Sequence, residues 1–130
     1  MKLSVGEETL VLHLRAYDIP FEREVAFDPK RRWRVDFMLA GKLAVEVEGG
    51  AWSNGRHVRG SGFLADCRKY NALTLAGYRL LRFATCQVQS GEAIDTIRDA
   101  LRTTDPPNPR RFSRNTQLRK ISPPKRKPRR

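Results

Sequence analysis

Two neighbouring β-rich runs constrain the fold of this chain more than any other feature. Residues Trp33–Leu39 and Lys42–Glu48 are rich in aliphatic and aromatic side chains, and only Ala40-Gly41 separates them. A two-residue connection that contains glycine is typical of a tight β-hairpin, because glycine readily adopts the backbone angles that such turns require. The segment therefore predicts a hairpin within a β-sheet.

The hairpin gathers acidic side chains on one face. Glu46 and Glu48 alternate with Val45 and Val47, and residues two apart on a strand point to the same side of a sheet. Pairing across the turn brings Asp36 alongside them. We therefore expect two or three carboxylates to converge on one patch.

A hard divalent cation is the natural partner for such a patch. Like charges that face one another destabilise a sheet unless a cation neutralises them. Mg²⁺ prefers octahedral oxygen ligands and typically takes one or two carboxylates together with a substrate phosphate. The alternative is a solvated strand face, since exposed glutamates that alternate with valines are common.

The remaining periodicity places the hairpin in an α/β domain. Ser4 and Glu7 form a capping box at the start of an amphipathic helix over about 5–17. The other expected elements are a strand over 21–27, a helix from about Phe63 to a C-cap at Gly77, a strand over 78–84 and a final helix over 91–104. The order α-β-β-β-α-β-α predicts a mixed central sheet flanked by helices, because a strand that follows a helical crossover can pair in parallel. We assign four aromatic and aliphatic residues to the core: Phe63, Tyr78, Leu80 and Phe83.

The charge of the chain is concentrated at one end. The formal net charge is +12, and residues 106–130 carry ten Lys or Arg, six prolines and no acidic residue, which leaves +2 for residues 1–105. We expect an ordered domain over 1–105 and a flexible, basic tail over 106–130. Such a charge favours a polyanionic partner. The absence of a membrane-length apolar run and of a signal-peptide pattern predicts an intracellular, cytoplasmic protein without a membrane partner.

The acidic hairpin in this order of elements resembles a known enzyme superfamily. Asp36, nine intervening residues and Glu46-Val-Glu48, after a helix that carries Glu7, resemble the motif of the PD-(D/E)XK nucleases. The resemblance covers residues 4–102 and implies a restriction-endonuclease-like core, with a size and layout most similar to Hjc-type Holliday junction resolvases. Other residues are similar to small endonucleases of the very-short-patch-repair and DUF559 types, which occur in phages and mobile elements: Val45-Glu-Val-Glu-Gly-Gly50, His57, Asp66, Lys69 and Leu80-Leu-Arg-Phe83.

The resemblance implies roles for individual residues. Asp36 and Glu46 would be metal ligands, and Glu7, or alternatively Glu8, would be the acid of the first helix that contacts water on the metal. The simpler interpretation of Glu7 is the capping box alone. The resemblance thus implies a Mg²⁺-dependent enzyme, with Mn²⁺ expected to substitute.

Position 48 departs from the superfamily pattern. The lysine that usually handles the attacking water is replaced by Glu48. Either Lys69 reaches the site from the second helix, or Glu48 itself binds metal or acts as the base. Lys69 is also consistent with a surface lysine that pairs with Asp66 three residues earlier.

Basic residues around the hairpin are candidates for DNA contact. They fall into a ridge before the second strand, a glycine-rich loop after the third strand and the tail: Lys30, Arg31, Arg32 and Arg34; Arg56, His57 and Arg59; and Lys125, Arg126 and Lys127. Solvated basic surface is the ordinary alternative for each group. Trp52, in the same loop, is expected in the core rather than stacked on DNA.

The expected function is a structure-selective DNA endonuclease. The leading hypothesis is a Holliday junction resolvase for recombination and repair, in which a homodimer makes paired nicks across a four-way junction. A mismatch or nicking endonuclease of the very-short-patch-repair type is the first alternative. A non-catalytic DNA-binding protein that kept the fold is the second, since the motif lysine is missing at position 48.

Overall fold

The four strands and four helices follow one another in the order predicted from the sequence, except that one short helix is additional. The computed structural model describes residues 3–49 and 61–103. The elements are α1 Val5–Ala16, β1 Glu22–Ala26, β2 Arg34–Leu39, β3 Leu43–Glu48, α2 Ser61–Leu75, β4 Arg79–Ala84, α3 Thr85–Gln89 and α4 Glu92–Arg102. The prediction of a mixed sheet flanked by helices is confirmed. The short helix α3 was not predicted, because five residues are too few to show a helical period.

The sheet has the strand order β1-β2-β3-β4. Strands β1 and β2 are antiparallel, as are β2 and β3, whereas β3 and β4 run parallel, with Glu46 opposite Arg82. Helix α2 supplies the crossover that parallel neighbours need. The hairpin turn is three residues long rather than two, because Leu39 pairs with Leu43 and both Gly41 and Lys42 have positive φ, at 70° and 55°.

The main core lies between the sheet and helices α1, α3 and α4. All of its buried members are apolar: Leu10, Val11, Leu14, Phe37, Leu39, Leu43, Val45, Val47, Phe83, Val88, Ala93, Ile94 and Ile97. A smaller cluster of Val35, Ala44 and Leu73 packs α2 against the sheet, with Tyr78 and Leu80 at its margin. The larger cluster fixes α1 over β2 and β3, and this contact places the start of α1 beside the acidic part of the hairpin.

Helix α2 is attached to the sheet more sparsely than expected. Leu73 is its one buried residue among positions 62–75, and Phe63, which we assigned to the core, is 50% exposed. That assignment was wrong because helical periodicity fixes the side that a residue faces, but not whether the sheet extends beneath that turn. Gly77, with φ +86°, ends the helix as predicted, and the amide of Tyr78 donates to the carbonyl of Leu73.

Candidate active site

Asp36 lies in a fork between the two strands of the hairpin. Paired residues run from Leu39 and Leu43 to Phe37 and Val45. Beyond them, Oδ2 of Asp36 accepts a hydrogen bond of 2.9 Å from the backbone amide of Val47. The carboxylate therefore takes the place of a backbone acceptor and is held between the strands instead of pointing freely into solvent.

Two further carboxylates lie against Asp36. One side-chain oxygen from each of Glu7, Glu24 and Asp36 falls within 4.8 Å of the others. Glu7 comes from the first turn of α1. Glu24 comes from β1, where the pairs Arg23 with Phe37 and Val25 with Val35 place it opposite Asp36. Three separate elements thus bring oxygen ligands to one point.

Glu24 is a site residue that we did not predict. Its φ of 51° lies in the left-handed region, within a strand that is otherwise extended. A non-glycine residue in that region costs of order 1–3 kcal/mol and persists only where its surroundings enforce it. The available signal was its position across from Asp36, but it appears only when β1 and β2 are placed in register.

Glu7 is held in place by bonds to both of its oxygens. Oε2 accepts from the backbone amide of Ser4 at 3.1 Å, which completes the predicted capping box. Oε1 accepts from Nη2 of Arg23 at 3.1 Å. Arg23 also donates through Nε to the carbonyl of Asp36 and lies over the ring of Phe37. The capping role and the position beside Asp36 are therefore compatible.

The surroundings of Asp36 disfavour its charged form. Burial raises the pKa of Asp36 from 3.8 to about 6, against the opposing effect of the Val47 amide. The negative charges of Glu46, Glu7 and Glu24 add to the increase. A pKa raised by desolvation and neighbouring charge is typical of functional sites, and a cation bound here would relieve both causes.

Glu46 faces α2. It is 6% exposed and is the one buried charged residue among those described. One carboxylate oxygen accepts from Nζ of Lys69, and the other accepts from the hydroxyl of Tyr70 at 2.8 Å. Lys69 therefore lies on the acidic hairpin from a neighbouring helix, as one of the two interpretations from the sequence requires.

Glu48 is paired with a basic residue of the next strand. Nε and Nη2 of Arg82 both donate to Oε1 of Glu48, at 3.1 and 2.7 Å, and the hydroxyl of Tyr70 lies 3.4 Å from the same oxygen. Both side chains of the ion pair are substantially exposed. Glu48 thus has a cationic partner, although the lysine of the superfamily pattern is absent at its position.

The predicted site residues therefore divide into two groups. Asp36 gathers with Glu7 and the unpredicted Glu24, whereas Glu46 and Lys69 form an adjoining group with Glu48. The two groups are electrostatically coupled, since Glu46 raises the pKa of Asp36.

The basic ridge spans the connection between β1 and β2 and the first residue of β2. Its members Lys30, Arg31, Arg32 and Arg34 are exposed. The guanidinium of Arg31 lies 5.0 Å from the ring centre of Trp33. The remaining predicted contacts lie outside the described residues: Trp52, Arg56, His57, Arg59, Lys125, Arg126 and Lys127.

The fold is shared with a known nuclease domain. The chain is similar to a solved structure of the homing endonuclease I-Bth0305I catalytic domain, with 24% sequence identity and a TM-score of 0.55. The likeness covers 78% of this chain and 94% of that one. It shows a common fold. The chain matches no protein-family model and no curated protein. Within the described residues, no helix is long and apolar enough to cross a membrane.

Proposed function

We propose that this protein is a metal-dependent DNA endonuclease whose active centre is Asp36. The observation that carries the proposal is the convergence of Glu7, Glu24 and Asp36, with the pKa of Asp36 raised to about 6. Fold likeness to a homing endonuclease catalytic domain adds support for a nuclease by analogy, while the site carries the argument.

The donor set fits a hard divalent cation. Carboxylate oxygens are the ligands that Mg²⁺ and Mn²⁺ prefer, and the raised pKa of Asp36 means that its anion lacks sufficient compensation. Asp36 would hold the ion together with Glu24 or Glu46, and Glu7 would hold a water molecule on it. When bound, the ion supplies Lewis-acid chemistry that activates water and offsets charge on the phosphate.

The residues of α2 supply the proton chemistry in this proposal. The ammonium group of Lys69 lies on Glu46, next to the metal-binding group, and can orient a water molecule or stabilise its deprotonated form. Glu48 is committed to Arg82, so the structure favours Lys69 over Glu48 as the substitute for the motif lysine.

DNA contact is assigned to the basic surfaces. The ridge at Lys30, Arg31, Arg32 and Arg34 would bind backbone phosphates, with further contacts from Arg56, His57 and Arg59 and from the tail. Each is a proposal drawn from charge and from position in the chain. Contacts of this kind position DNA without reading bases.

The DNA substrate of the proposed endonuclease is a separate question from its chemistry. The sequence resemblance to Hjc-type resolvases favours a four-way junction that a homodimer cuts by paired nicks. The fold likeness to a homing endonuclease catalytic domain supports an endonuclease and does not distinguish between shapes of DNA. A Holliday junction resolvase remains our leading proposal, and a mismatch or nicking endonuclease of the very-short-patch-repair type is the alternative.

A panel of labelled substrates tests both the metal-dependent endonuclease activity and the preferred shape of DNA. Four-way junction, nicked, mismatched and linear duplex DNA would be incubated with Mg²⁺, Mn²⁺ or chelator. We expect cleavage with either metal and none with chelator. Selective cutting of the junction would establish the resolvase, whereas equal cutting of linear duplex would exclude it. Binding without cleavage under every condition would contradict the enzyme and support a DNA-binding protein.

A further inference from the structure

Tyr70 occupies the junction between the two acidic residues of β3. Its hydroxyl lies 2.8 Å from Oε2 of Glu46 and 3.4 Å from Oε1 of Glu48. The guanidinium of Arg82 covers its ring at 4.4 Å from the centre, while also binding Glu48. The aromatic ring and the hydroxyl are therefore both fixed by charged neighbours.

The hydroxyl is committed to donating a hydrogen bond. A carboxylate oxygen accepts hydrogen bonds, so the phenol is the donor in its contact with Glu46. Its single proton is directed to Glu46 at the shorter of the two distances, so the bond persists as a fixed geometric restraint.

The geometry points to Tyr70 as a positioning residue that orients the Glu46 carboxylate for metal binding, an inference that rests on the proposed function with Glu46 as the second metal ligand. A carboxylate has about four lone-pair sites on its two oxygens. Among residues 3–49 and 61–103, Lys69 takes one site on Oε1 and Tyr70 takes one on Oε2, and no other hydrogen bond reaches either oxygen. The restraints fix the plane of the carboxylate without saturating it.

A packing role alone would have different consequences. Tyr70 lies in the part of α2 that contacts the sheet, where Leu73 provides the buried apolar contact. If Tyr70 served only to attach α2, loss of its hydroxyl would lower thermal stability and leave the metal affinity of the folded protein unchanged. If Tyr70 orients Glu46, loss of its hydroxyl should instead weaken metal binding and change thermal stability little.

The test is Tyr70→Phe, which removes the hydroxyl and keeps the ring beneath Arg82. Mn²⁺ binding to the full chain without DNA would be measured by electron paramagnetic resonance and by calorimetry. We expect the Kd to rise about 10-fold, because loss of a group that orients a ligand typically costs 10–100-fold in metal affinity. The metal-free melting temperature should stay close to wild type, and kcat at saturating metal should fall less than metal affinity.

Two further variants distinguish failure of the Tyr70 assignment from failure of the proposed function. Tyr78→Phe removes a phenol hydroxyl from the margin of the smaller core cluster and should bind Mn²⁺ like wild type. Wild-type Mn²⁺ affinity in Tyr70→Phe, with affinity lost in Asp36→Asn, would overturn the role of Tyr70 and leave the metal site intact. Failure of wild type to bind Mn²⁺ would overturn the proposed function and the Tyr70 assignment together.

Discussion

Asp36 illustrates at the scale of one residue how a site can oppose the stability of its own fold. The carboxyl binds its proton more tightly in the folded chain, with a pKa of about 6, than in the unfolded chain, where 3.8 applies. The unfolded state therefore holds fewer protons between these values, and the contribution of Asp36 to stability falls as pH rises through them. Above pH 6 its full destabilising effect is present.

Asp36→Asn should consequently stabilise the metal-free protein at pH 8. The amide oxygen can still accept from Val47, and the uncompensated charge is gone. We expect a gain of about 1 kcal/mol in the free energy of unfolding, discounted for the partial exposure of the group, and no gain below pH 4. Urea denaturation at the two pH values measures it. Asp28→Asn, in a turn that an asparagine also supports, is the matched control and should bring no gain at pH 8.

Proton binding to Asp36 should also compete with metal. The ionised form is the ligand, so the apparent Mn²⁺ affinity should fall about 10-fold per pH unit below pH 6 and level off above it. Calorimetric titrations from pH 5 to pH 8 follow this dependence. An affinity that does not change across that range would remove Asp36 from the ligand set.

Glu24 provides a second test at the same scale. Its negative charge contributes to the raised pKa of Asp36. Glu24→Gln should lower the pKa of Asp36 and weaken Mn²⁺ binding. NMR of the carboxyl carbon measures the pKa. Glu22→Gln, two positions earlier on β1 and exposed, is the matched control and should change neither. A pKa of Asp36 that is the same in both variants would exclude Glu24 from the cluster.

At the scale of elements, the approach of α1 to the sheet decides where Glu7 lies. A Cβ atom added at Gly6 would come within 2.8 Å of Cγ1 of Val47 and 2.9 Å of Oγ1 of Thr85. Only glycine permits this contact, because no other residue lacks a Cβ. The close packing brings the next residue, Glu7, to Asp36.

Gly6→Ala should therefore affect both stability and metal binding. Overpacking of this kind typically costs about 1–3 kcal/mol, and the shift of α1 needed to relieve it would move Glu7 from the site. Gly62→Ala in α2 is the control, because its added Cβ meets no atom within 4 Å. That change should stabilise the helix by about 0.5–1 kcal/mol. Thermal melts with and without Mn²⁺ distinguish the two variants.

The same elements show what sequence can and cannot predict here. Alternation and the capping box were sufficient for the order of the long elements, because these signals are local. They also placed Asp36, Glu46 and Glu7 in their elements, whereas the roles of these residues are proposals. Glu24 and Tyr70 depend on the register of β1 and on the docking of α2, which are set by contacts distant in the chain. Phe63 was misassigned for the same reason, since its burial depends on the extent of the sheet.

At the scale of the whole molecule, the distribution of charge assigns most of the affinity for DNA to a different part of the chain from the proposed acidic site. Ten of the positive charges lie in residues 106–130, a segment that contains none of the proposed metal-binding residues. Replacement of Lys125, Arg126 and Lys127 by glutamine should weaken binding to every DNA shape by a similar factor. It should reduce the slope of log affinity against log salt by up to about 2.7, at about 0.9 per phosphate. Fluorescence anisotropy at several salt concentrations measures the slope. An unchanged slope would assign the tail no phosphate contacts.

The central claim is that the Asp36 site hydrolyses DNA with a divalent metal. The most direct measurement is the single-turnover cleavage rate of wild type, Asp36→Asn and Asp28→Asn on one labelled DNA substrate at saturating Mg²⁺. We expect Asp36→Asn to fold normally and lose at least about 100-fold in rate, the scale on which a single electrostatic catalytic group acts, while Asp28→Asn cuts like wild type. Cleavage by Asp36→Asn at the wild-type rate would contradict it.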